Sequence, residues 1–209
     1  MPLRKRPKPT PNPLIRRYDH GEQVFQNVKM PFADFTDANL PFVTLIDADF
    51  KAANFRHAFL PGSEFIRTRL TLSAFFGANL IAASFIRCDL HNTDLRKALF
   101  SNATLVGIDL SESNLKGASL AGANLAGANL RGANLKGVNL QGANLQGANL
   151  LYAETQGANF SGANLLFTTM PDGTYQQDDA SLLYDVYSDE AEASQQESPQ
   201  QDLVDSRLS

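Results

Sequence analysis

The chain of 209 residues contains one cysteine, three histidines and no long apolar run. A single cysteine, Cys88, excludes an intramolecular disulfide and any metal cluster built from cysteines. His20, His57 and His91 match no metal-binding spacing, and no motif for nucleophilic or nucleotide chemistry is present. No stretch of about 18 apolar residues exists that would form a membrane-spanning helix. We therefore expect neither enzyme activity nor a cofactor.

Charge is concentrated at the two ends of the chain. Residues 1–17 carry six basic residues and no acidic one, and residues 171–209 carry ten acidic residues against Arg207. Because the basic head is interrupted by prolines, we expect residues 1–19 to be extended or disordered. The polar, acidic composition of residues 194–209 predicts a disordered tail. No apolar segment follows the basic start as it would in a secretory signal, so the expected location is the cytoplasm.

Between these ends, every fifth residue from Phe25 to Met170 is Leu, Phe or Met, with Thr155 as the exception. We call this the centre position. Neither a helix nor a strand has a period of five, so the spacing indicates a solenoid of short repeats. The residue two places before each centre is nearly always small, which indicates a cramped interior position. Cys88 occupies such a position, and we expect a buried, unreactive thiol.

From Ala121 to Leu150 the sequence repeats A-G-A-N-L with small variations. This pattern resembles the pentapeptide repeat family, whose consensus is A-(D/N)-L-X-X, over about residues 21–170. The resemblance implies an all-β fold, a right-handed quadrilateral β-helix with four pentapeptides in each coil and about seven to eight coils. We assign residues 20–173 to this β-helix. The sequence M-P-D-G at 170–173 is similar to the exit turn of cyanobacterial members and suggests a bacterial source.

With four pentapeptides in each coil, residues twenty apart become vertical neighbours at a strand spacing of about 4.8 Å. We number the faces by their first centres: Phe25 on face one, Met30 on face two, Phe35 on face three and Leu40 on face four. Two residues after the centre, glycine predominates from Gly107 onward, whereas bulkier residues are common before it. Because bulky residues disfavour positive φ, we expect a different corner geometry in the N-terminal half.

Outward positions on faces one and four are unusually apolar in the N-terminal half. We call them the apolar surface: Ile46, Ile66, Ile86, Val106, Phe42, Phe59, Ile81 and Leu99. Phe32, Leu72 and Phe76 add smaller apolar groups on faces two and three. Two interpretations stay open. The surface binds a partner, because soluble monomers seldom expose large apolar patches, or its β-branched residues simply favour strand-like ladders.

Face three gathers a basic stripe along the rod: Arg56, Arg96, Lys97, Lys116 and Lys136. A straight row of cations is able to follow a phosphate backbone. However, acidic residues such as Asp34 and Asp94 interrupt the row, and no exposed aromatic alternates with the cations for base stacking. We interpret the stripe as solvated charge and do not expect nucleic acid as a partner.

The resulting prediction is a non-enzymatic scaffold that binds a protein partner, or itself, through the apolar N-terminal half of the rod. The family resemblance raises an alternative, modulation of DNA gyrase or topoisomerase by DNA mimicry. The acidic stripe that such relatives present has no counterpart in this near-neutral rod. A further alternative is binding of an anion, either nucleic acid or a membrane surface, through the basic head.

The segment 174–193 is a candidate cap for the end of the rod. A thin solenoid core is stabilised only by its neighbouring coils, so both ends need a cover. Asp178 or Asp179 is suited to begin a short helix that buries Leu182, Leu183 and Val186.

Overall fold

The computed structural model describes residues 12–177 of the protein. One short helix, α1 (Pro13–Asp19), precedes a right-handed quadrilateral β-helix. Four strands lie on face one: β1 (Val24–Gln26), β2 (Thr44–Ile46), β3 (Glu64–Ile66) and β4 (Ser84–Ile86). They form a parallel sheet in the order β1-β2-β3-β4, with each residue paired to the residue twenty places later.

The twenty-residue step continues through the rest of the repeat. Isolated parallel bridges join residues twenty apart on all four faces, from Lys29–Asp49 near the start to Asn149–Thr169 near the end. The predicted fold, four pentapeptides per coil, is confirmed. Each coil is therefore one rung of a parallel stack whose backbone hydrogen bonds run along the rod axis.

Centre side chains fill the core of the rod. All centres from Phe35 to Leu150 are buried. On face three, the rings of Phe35, Phe55 and Phe75 stack with centroids 4.7 Å apart and planes tilted by 4°. The ring of Phe50 meets Phe35 edge-on at 5.5 Å. Stacked and edge-to-face rings add about 0.5–1.5 kcal/mol per pair beyond their burial, so aromatic packing reinforces the N-terminal coils.

Buried hydroxyl groups at the small interior positions are satisfied by the backbone. Ser63 donates to the carbonyl of Leu60 at 2.6 Å, and Thr168 donates to the carbonyl of Leu145 at 2.8 Å. Ser73, Thr93 and Ser113 make bonds of the same local kind as Ser63. Because buried polar groups cost free energy only when they lack a partner, Ser and Thr replace Ala at these positions without penalty.

Where Asn or Asp precedes a centre, it stabilises the following corner. Its side-chain oxygen accepts a hydrogen bond from the amide two residues later, as in Asn124 with Ala126 at 3.2 Å. Such Asx turns are the local reason that Asn and Asp favour turns. Phe59 breaks this pattern, but the residue two places later is Pro61, which has no amide hydrogen to donate. Phe59 therefore replaces Asn at a site where Asn has no turn bond to make.

The corners contradict the expected change of conformation before Gly107. Bulky residues two places after the centre adopt the same positive φ as glycine: Phe42 has φ 57°, His57 57° and Leu72 62°, against 65° for Gly127. The prediction was wrong because the interlocked coils impose one corner conformation on whichever residue occupies it. A difference does occur on face one. The centre carbonyls of Phe25, Leu45, Phe65 and Phe85 accept no hydrogen bond from the amide three residues later, whereas that of Leu125 does, at 2.9 Å.

The N-terminal head also differs from the prediction in its last residues. Residues 1–11 lie outside the described chain, but α1 shows that residues 13–19 are helical and not extended. Asn12 caps the helix by accepting from the Leu14 amide at 2.9 Å, and Pro13 stands at its first position. Proline is tolerated there because the first amides of a helix have no internal partner.

Helix α1 covers the first coil. Leu14 is buried, and the Tyr18 hydroxyl donates to the carbonyl of Pro41 at 2.6 Å. Arg17, held by an ion pair with Glu22, places its guanidinium 5.0 Å from the ring centroid of Phe25. Phe25 is consequently buried although no coil precedes it.

At the other end the chain turns back on itself. Gly173 has φ 89°, and its amide donates to the carbonyl of Met170, while Asp172 accepts from the amide and hydroxyl of Thr174. Residues 174–176 then run antiparallel to the last rung, and Thr169 bridges Tyr175. The predicted capping helix and the acidic tail lie outside the described residues.

Candidate interaction surface

The apolar surface occupies both edges of face one and part of face four. On the edge shared with face four, Phe42 is 65% exposed and Ile81 is exposed. Phe59, 45% exposed, and Leu99 lie beside them in the middle of face four. On the edge shared with face two, Ile86 is 45% exposed and Val106 49%. Ile46 and Ile66, in the same column, are half-buried. All eight residues therefore present side-chain area to solvent.

A polar column separates the two edges. Thr44, Glu64, Ser84 and Thr104 are the outward residues in the middle of face one, because strand residues alternate between the core and the solvent. The two apolar groups, which the sequence suggested as one patch, are thus two parallel strips. They flank a polar strip only one residue wide.

The strand-ladder interpretation accounts for part of this surface. Ile46, Ile66 and Ile86 are the last residues of β2, β3 and β4, and each pairs with the next in the parallel ladder. β-branched residues favour such extended positions. The same reasoning does not apply to Phe42, whose backbone is left-handed, a conformation that costs a bulky residue about 1–3 kcal/mol.

The ring of Phe42 lies over the next coil. A methyl group added at Gly62 would approach the ring carbon Cδ1 of Phe42 to 2.6 Å. Gly62 thus provides the space in which the exposed ring rests. The edge shared with face four therefore carries a fixed aromatic group whose outer side faces solvent.

A charged groove borders the Ile column on face two. It is lined by residues from four successive coils: Lys29, Asp47, Asp49, Arg67, Arg69, Arg87 and Asp89. Arg67 donates two hydrogen bonds of 2.7 Å to Asp47, and Arg69 donates one of 3.1 Å to Asp49. The bonds from Arg67 lower the pKa of the Asp47 carboxyl. The sequence indicates which residues are vertical neighbours but not which outward side chains pair, so this groove was not predicted.

The basic stripe is partly neutralised. Arg96 donates two hydrogen bonds of 2.8 Å to Asp94, which lower the pKa of that carboxyl, and Lys136 pairs with Glu154 at 3.0 Å. Arg56, Lys97 and Lys116 make no ion pair within residues 12–177.

One half-buried aromatic residue lies within the basic stripe. Phe76 lies in the same column, between Arg56 and Arg96. The Arg96 guanidinium lies 5.4 Å and the Lys97 ammonium 5.8 Å from the centroid of its ring. The ring of His57 meets Phe76 edge-on at 5.4 Å. Three side chains therefore lie close to the half-buried ring of Phe76.

No catalytic arrangement emerges from the side chains of the described chain. Asp37 and His57, one coil apart, share neither a hydrogen bond nor an ion pair within residues 12–177. His91 does lie 3.0 Å from the Ser111 hydroxyl, a contact that the sequence did not suggest. That hydroxyl donates to Asp109 at 2.6 Å. Its proton is therefore held by the carboxylate and is not available to the imidazole, as a nucleophilic serine requires.

The single cysteine is buried, as expected. Cys88 lies 7% exposed, and its sulfur contacts the carbonyl of Phe65 at 3.2 Å. Burial raises the pKa of its thiol to about 11. In residues 12–177, no group of three or more metal-binding side chains converges, and no helix in that range is long and apolar enough to cross a membrane.

Comparisons with solved structures return other rods of this kind. A trypsin-treated variant of QnrB1, a plasmid-mediated fluoroquinolone resistance protein, superposes with a TM-score of 0.67 at 24% identity, covering 79% of this chain and 87% of that one. Rfr23 from the cyanobacterium Cyanothece 51142 aligns at 27% identity over 76% and 95% of the two chains, with a TM-score of 0.40. HetL from Nostoc sp. strain PCC 7120 aligns at 25% identity over 78% and 98%, with a TM-score of 0.31.

No curated protein sequence matches the chain. The model of pentapeptide repeats, in contrast, matches eight copies that together extend over residues 24–111 and 113–170. This range coincides with the stack of coils whose twenty-residue bridges are described above. The chain belongs to the pentapeptide repeat family.

Proposed function

We propose that this protein is a non-enzymatic scaffold that binds a protein partner, or a second copy of itself, through the apolar surface. The observation that carries the proposal is a difference between the two halves of one rod. Large apolar side chains are exposed at many outward positions before residue 107 and at none from residue 107 to residue 151. Within residues 12–177 they appear again at the C-terminal end of the rod, at Tyr152, Phe167 and Tyr175. Since both halves bury the same kind of core, folding does not require the exposed apolar groups.

The neighbourhood of the two strips also supports a binding role. Protein interfaces combine an apolar centre with a polar rim. Here the strips are bordered by the charged groove on face two, where Asp47 and Asp49 are paired with arginines. The family background agrees, because pentapeptide repeat proteins are generally structural or interaction proteins.

The two alternative functions have less support. A DNA mimic needs rows of accessible carboxylates, but Asp47, Asp49 and Asp94 are each paired with an arginine. The likeness to QnrB1, at 24% identity, concerns the fold alone. Binding of nucleic acid or a membrane through the basic head would rest on residues 1–11, which lie outside the described chain.

The test replaces apolar residues by charge at positions that tolerate polar residues elsewhere in the rod. Ile66→Asp combined with Ile86→Asp changes the column on the face-two edge, and Phe59→Asp changes the apolar group on face four. The matched control is Ala126→Asp with Gln146→Asp, in the same column as Ile66 but two or more coils further on. Circular dichroism and thermal unfolding verify that each variant folds.

Binding is then measured in two ways. Multi-angle light scattering at several concentrations reports self-association, and quantitative cross-linking in the source cell reports partners. We expect the association of the apolar-surface variants to weaken about tenfold or more, as it does when a central contact of an interface is truncated. The control variant should associate as the natural chain does. If the apolar-surface variants associate as strongly as the control variant, the apolar surface is not the binding site.

A further inference from the structure

Two arginines stand one coil apart at the corner between faces one and two. Arg67 and Arg87 have left-handed backbones, with φ 49° and 53°. The later coils carry glycine in the same column, as at Gly107 and Gly127. Since a left-handed backbone is unfavourable for a residue with a side chain, glycine would suit both corners better. Folding alone therefore does not account for the two arginines.

The charges of these arginines add a second cost. Vertical neighbours in the rod lie one strand spacing apart, about 4.8 Å, and like charges opposite each other on neighbouring strands repel. Asp47 accepts both hydrogen bonds of its ion pair from Arg67, and it lies two coils away from Arg87. A carboxylate from outside the rod, placed between the two guanidinium groups, would offset their repulsion.

The charged groove beside them has an excess of positive charge. Its lining carries four cations against three carboxylates, although the whole chain has a net charge of −4. The ion pairs use two N–H donors of Arg67 and one of Arg69, fewer than a guanidinium offers. These two side chains are 49% and 61% exposed. The groove, with a volume of about 510 Å³, is therefore suited to a ligand that supplies negatively charged acceptors.

The charged groove adjoins the apolar surface. Ile66 and Ile86 immediately precede the two arginines in the chain, and Ile86 is 45% exposed. Protein interfaces are enriched in arginine, whose planar guanidinium binds a carboxylate through two parallel hydrogen bonds. A partner that rests on the Ile column consequently has its flank over the arginines.

We infer that the charged groove binds carboxylates of an acidic segment of a partner protein, whose neighbouring apolar side chains rest on the Ile column. The inference rests on the proposed function and adds the chemistry of the partner. A second copy of the rod is the less suitable occupant. A symmetric pair that joined the two Ile columns would bring together two grooves, each with an excess of positive charge.

The experiment uses two fluorescent peptides as probes. One contains pairs of leucine and glutamate separated by serine and glycine, and its twin has glutamine in place of every glutamate. Arg87→Gly introduces the residue that later coils carry at this corner, so the rod should fold, which circular dichroism verifies. The matched control is Lys97→Gly, which removes the same charge from a left-handed corner of the same coil, on the opposite side of the rod. Fluorescence anisotropy with the full chain measures each dissociation constant at low and at high salt.

We expect the natural chain to bind the glutamate peptide at least about tenfold more tightly than its twin at low salt. This preference should shrink as salt screens the charges. Arg87→Gly should lose most of the preference, and Lys97→Gly should keep it. Equal binding of the two peptides by the natural chain, binding of neither, or an unchanged preference in Arg87→Gly overturns the inference.

A third variant separates this inference from the proposed function. Ile66→Ser with Ile86→Ser removes apolar contacts without adding charge, and it should weaken the binding of both peptides about tenfold. If it weakens neither while Arg87→Gly removes the preference, the groove binds carboxylates and the proposed function fails. If it weakens both while Arg87→Gly keeps the preference, the proposed function stands and the inference fails. A natural chain that forms dimers and excludes both peptides overturns the inference in favour of a second copy.

Discussion

Single residues in this rod are constrained mainly by the coil above or below them. Gly62 and Gly127 have nearly the same positive φ, 61° and 65°. Only Gly62 lies beneath a large side chain, that of Phe42, whereas a methyl group at Gly127 would meet no atom within 4 Å. The two glycines are therefore equivalent in backbone conformation and different in surroundings.

We expect Gly62→Ala to lower the free energy of unfolding more than Gly127→Ala. The latter carries only the left-handed strain of alanine, about 1–2 kcal/mol, whereas the former also displaces the Phe42 ring. Urea unfolding of both variants measures the difference. Adding Phe42→Ala to Gly62→Ala is the control, and it should restore most of the excess. Equal losses in the two glycine variants would show that the Phe42 ring moves aside freely.

Cys88 gives a prediction about pH. Its thiol has a pKa of about 11 in the folded protein because burial disfavours the thiolate, against about 8.5 in an unfolded chain. At pH 8 the thiolate is therefore about two orders of magnitude scarcer in the folded state. We expect a thiol reagent to label native Cys88 at least that much more slowly than the urea-unfolded protein.

The labelling rate of native Cys88 should also rise about tenfold per pH unit up to about pH 11. Since the folded pKa is raised, the neutral thiol contributes its full stability below about pH 8.5, and this contribution is lost as the pH rises through 11. The Cys88→Ser variant, whose hydroxyl stands where that of Thr68 stands one coil earlier, should show no such loss of stability at high pH. Rapid labelling at pH 8 in native conditions would contradict the buried placement.

Among the elements, α1 and the β1–β4 sheet have different roles. The strands exist because Phe25, Leu45, Phe65 and Phe85 stack in register on face one. The helix, in contrast, is only seven residues long, too short to be stable alone in water. Its packing on the first coil, through Leu14, maintains it. In a solenoid each unit is stabilised by its neighbours, so loss of the cover should propagate from the end inwards.

Leu14→Asp should therefore fray the first coil and leave the distant coils folded. Hydrogen exchange is expected to accelerate for residues 25–40 and to stay unchanged for residues 105–150, because each coil contacts only adjacent ones. Ile15→Asp, beside Leu14 on α1 but only half-buried, is the milder comparison. Uniform acceleration along the whole chain would instead indicate a single cooperative unit.

At the scale of the whole molecule, the number of coils in the rod can change without changing the face on which each remaining residue lies. Removal of residues 121–140 takes out one coil and joins Leu120 to Gln141 with every face preserved. Removal of residues 121–125 keeps the five-residue spacing but shifts every later residue by one face. Only the second change alters which side chains share a column.

We expect both deletion variants to fold, because the interior pattern of small residue and centre is intact in each. The twenty-residue deletion should shorten the rod by about 4.8 Å, one strand spacing, as measured by small-angle X-ray scattering. In the five-residue deletion variant, Lys136 and Glu154 should stay as close together as in the natural chain, because both lie after the deletion and move together. A twenty-residue deletion variant that fails to fold would contradict the expectation that one whole coil can be removed without disturbing the others.

Several features were predictable from particular residues and others were not. The fifth-residue Leu and Phe identified the core, and small residues such as Cys88 marked the interior positions, because both patterns are local and repeat without interruption. The helical state of residues 13–19 was missed because the surrounding prolines suggested extended chain, although Pro13 occupies the one helical position that accepts it. The left-handed backbone of Phe42 was missed because propensity at a single residue does not include the constraint from adjacent coils.

The sequence by itself determined the period and the inward residues, since both depend on side-chain size at a fixed spacing, and its resemblance to the pentapeptide repeat family implied the four-sided coil. Only the tertiary structure decided which outward residues meet: the arginine of one coil with the aspartate of another in the groove on face two, the Phe42 ring over Gly62, and the polar strip between the two apolar ones. The physical reason is that outward side chains are long and free to rotate, so their contacts depend on the neighbours that stacking brings within reach. Interior side chains have less choice, because a close-packed core position accepts only a narrow range of sizes.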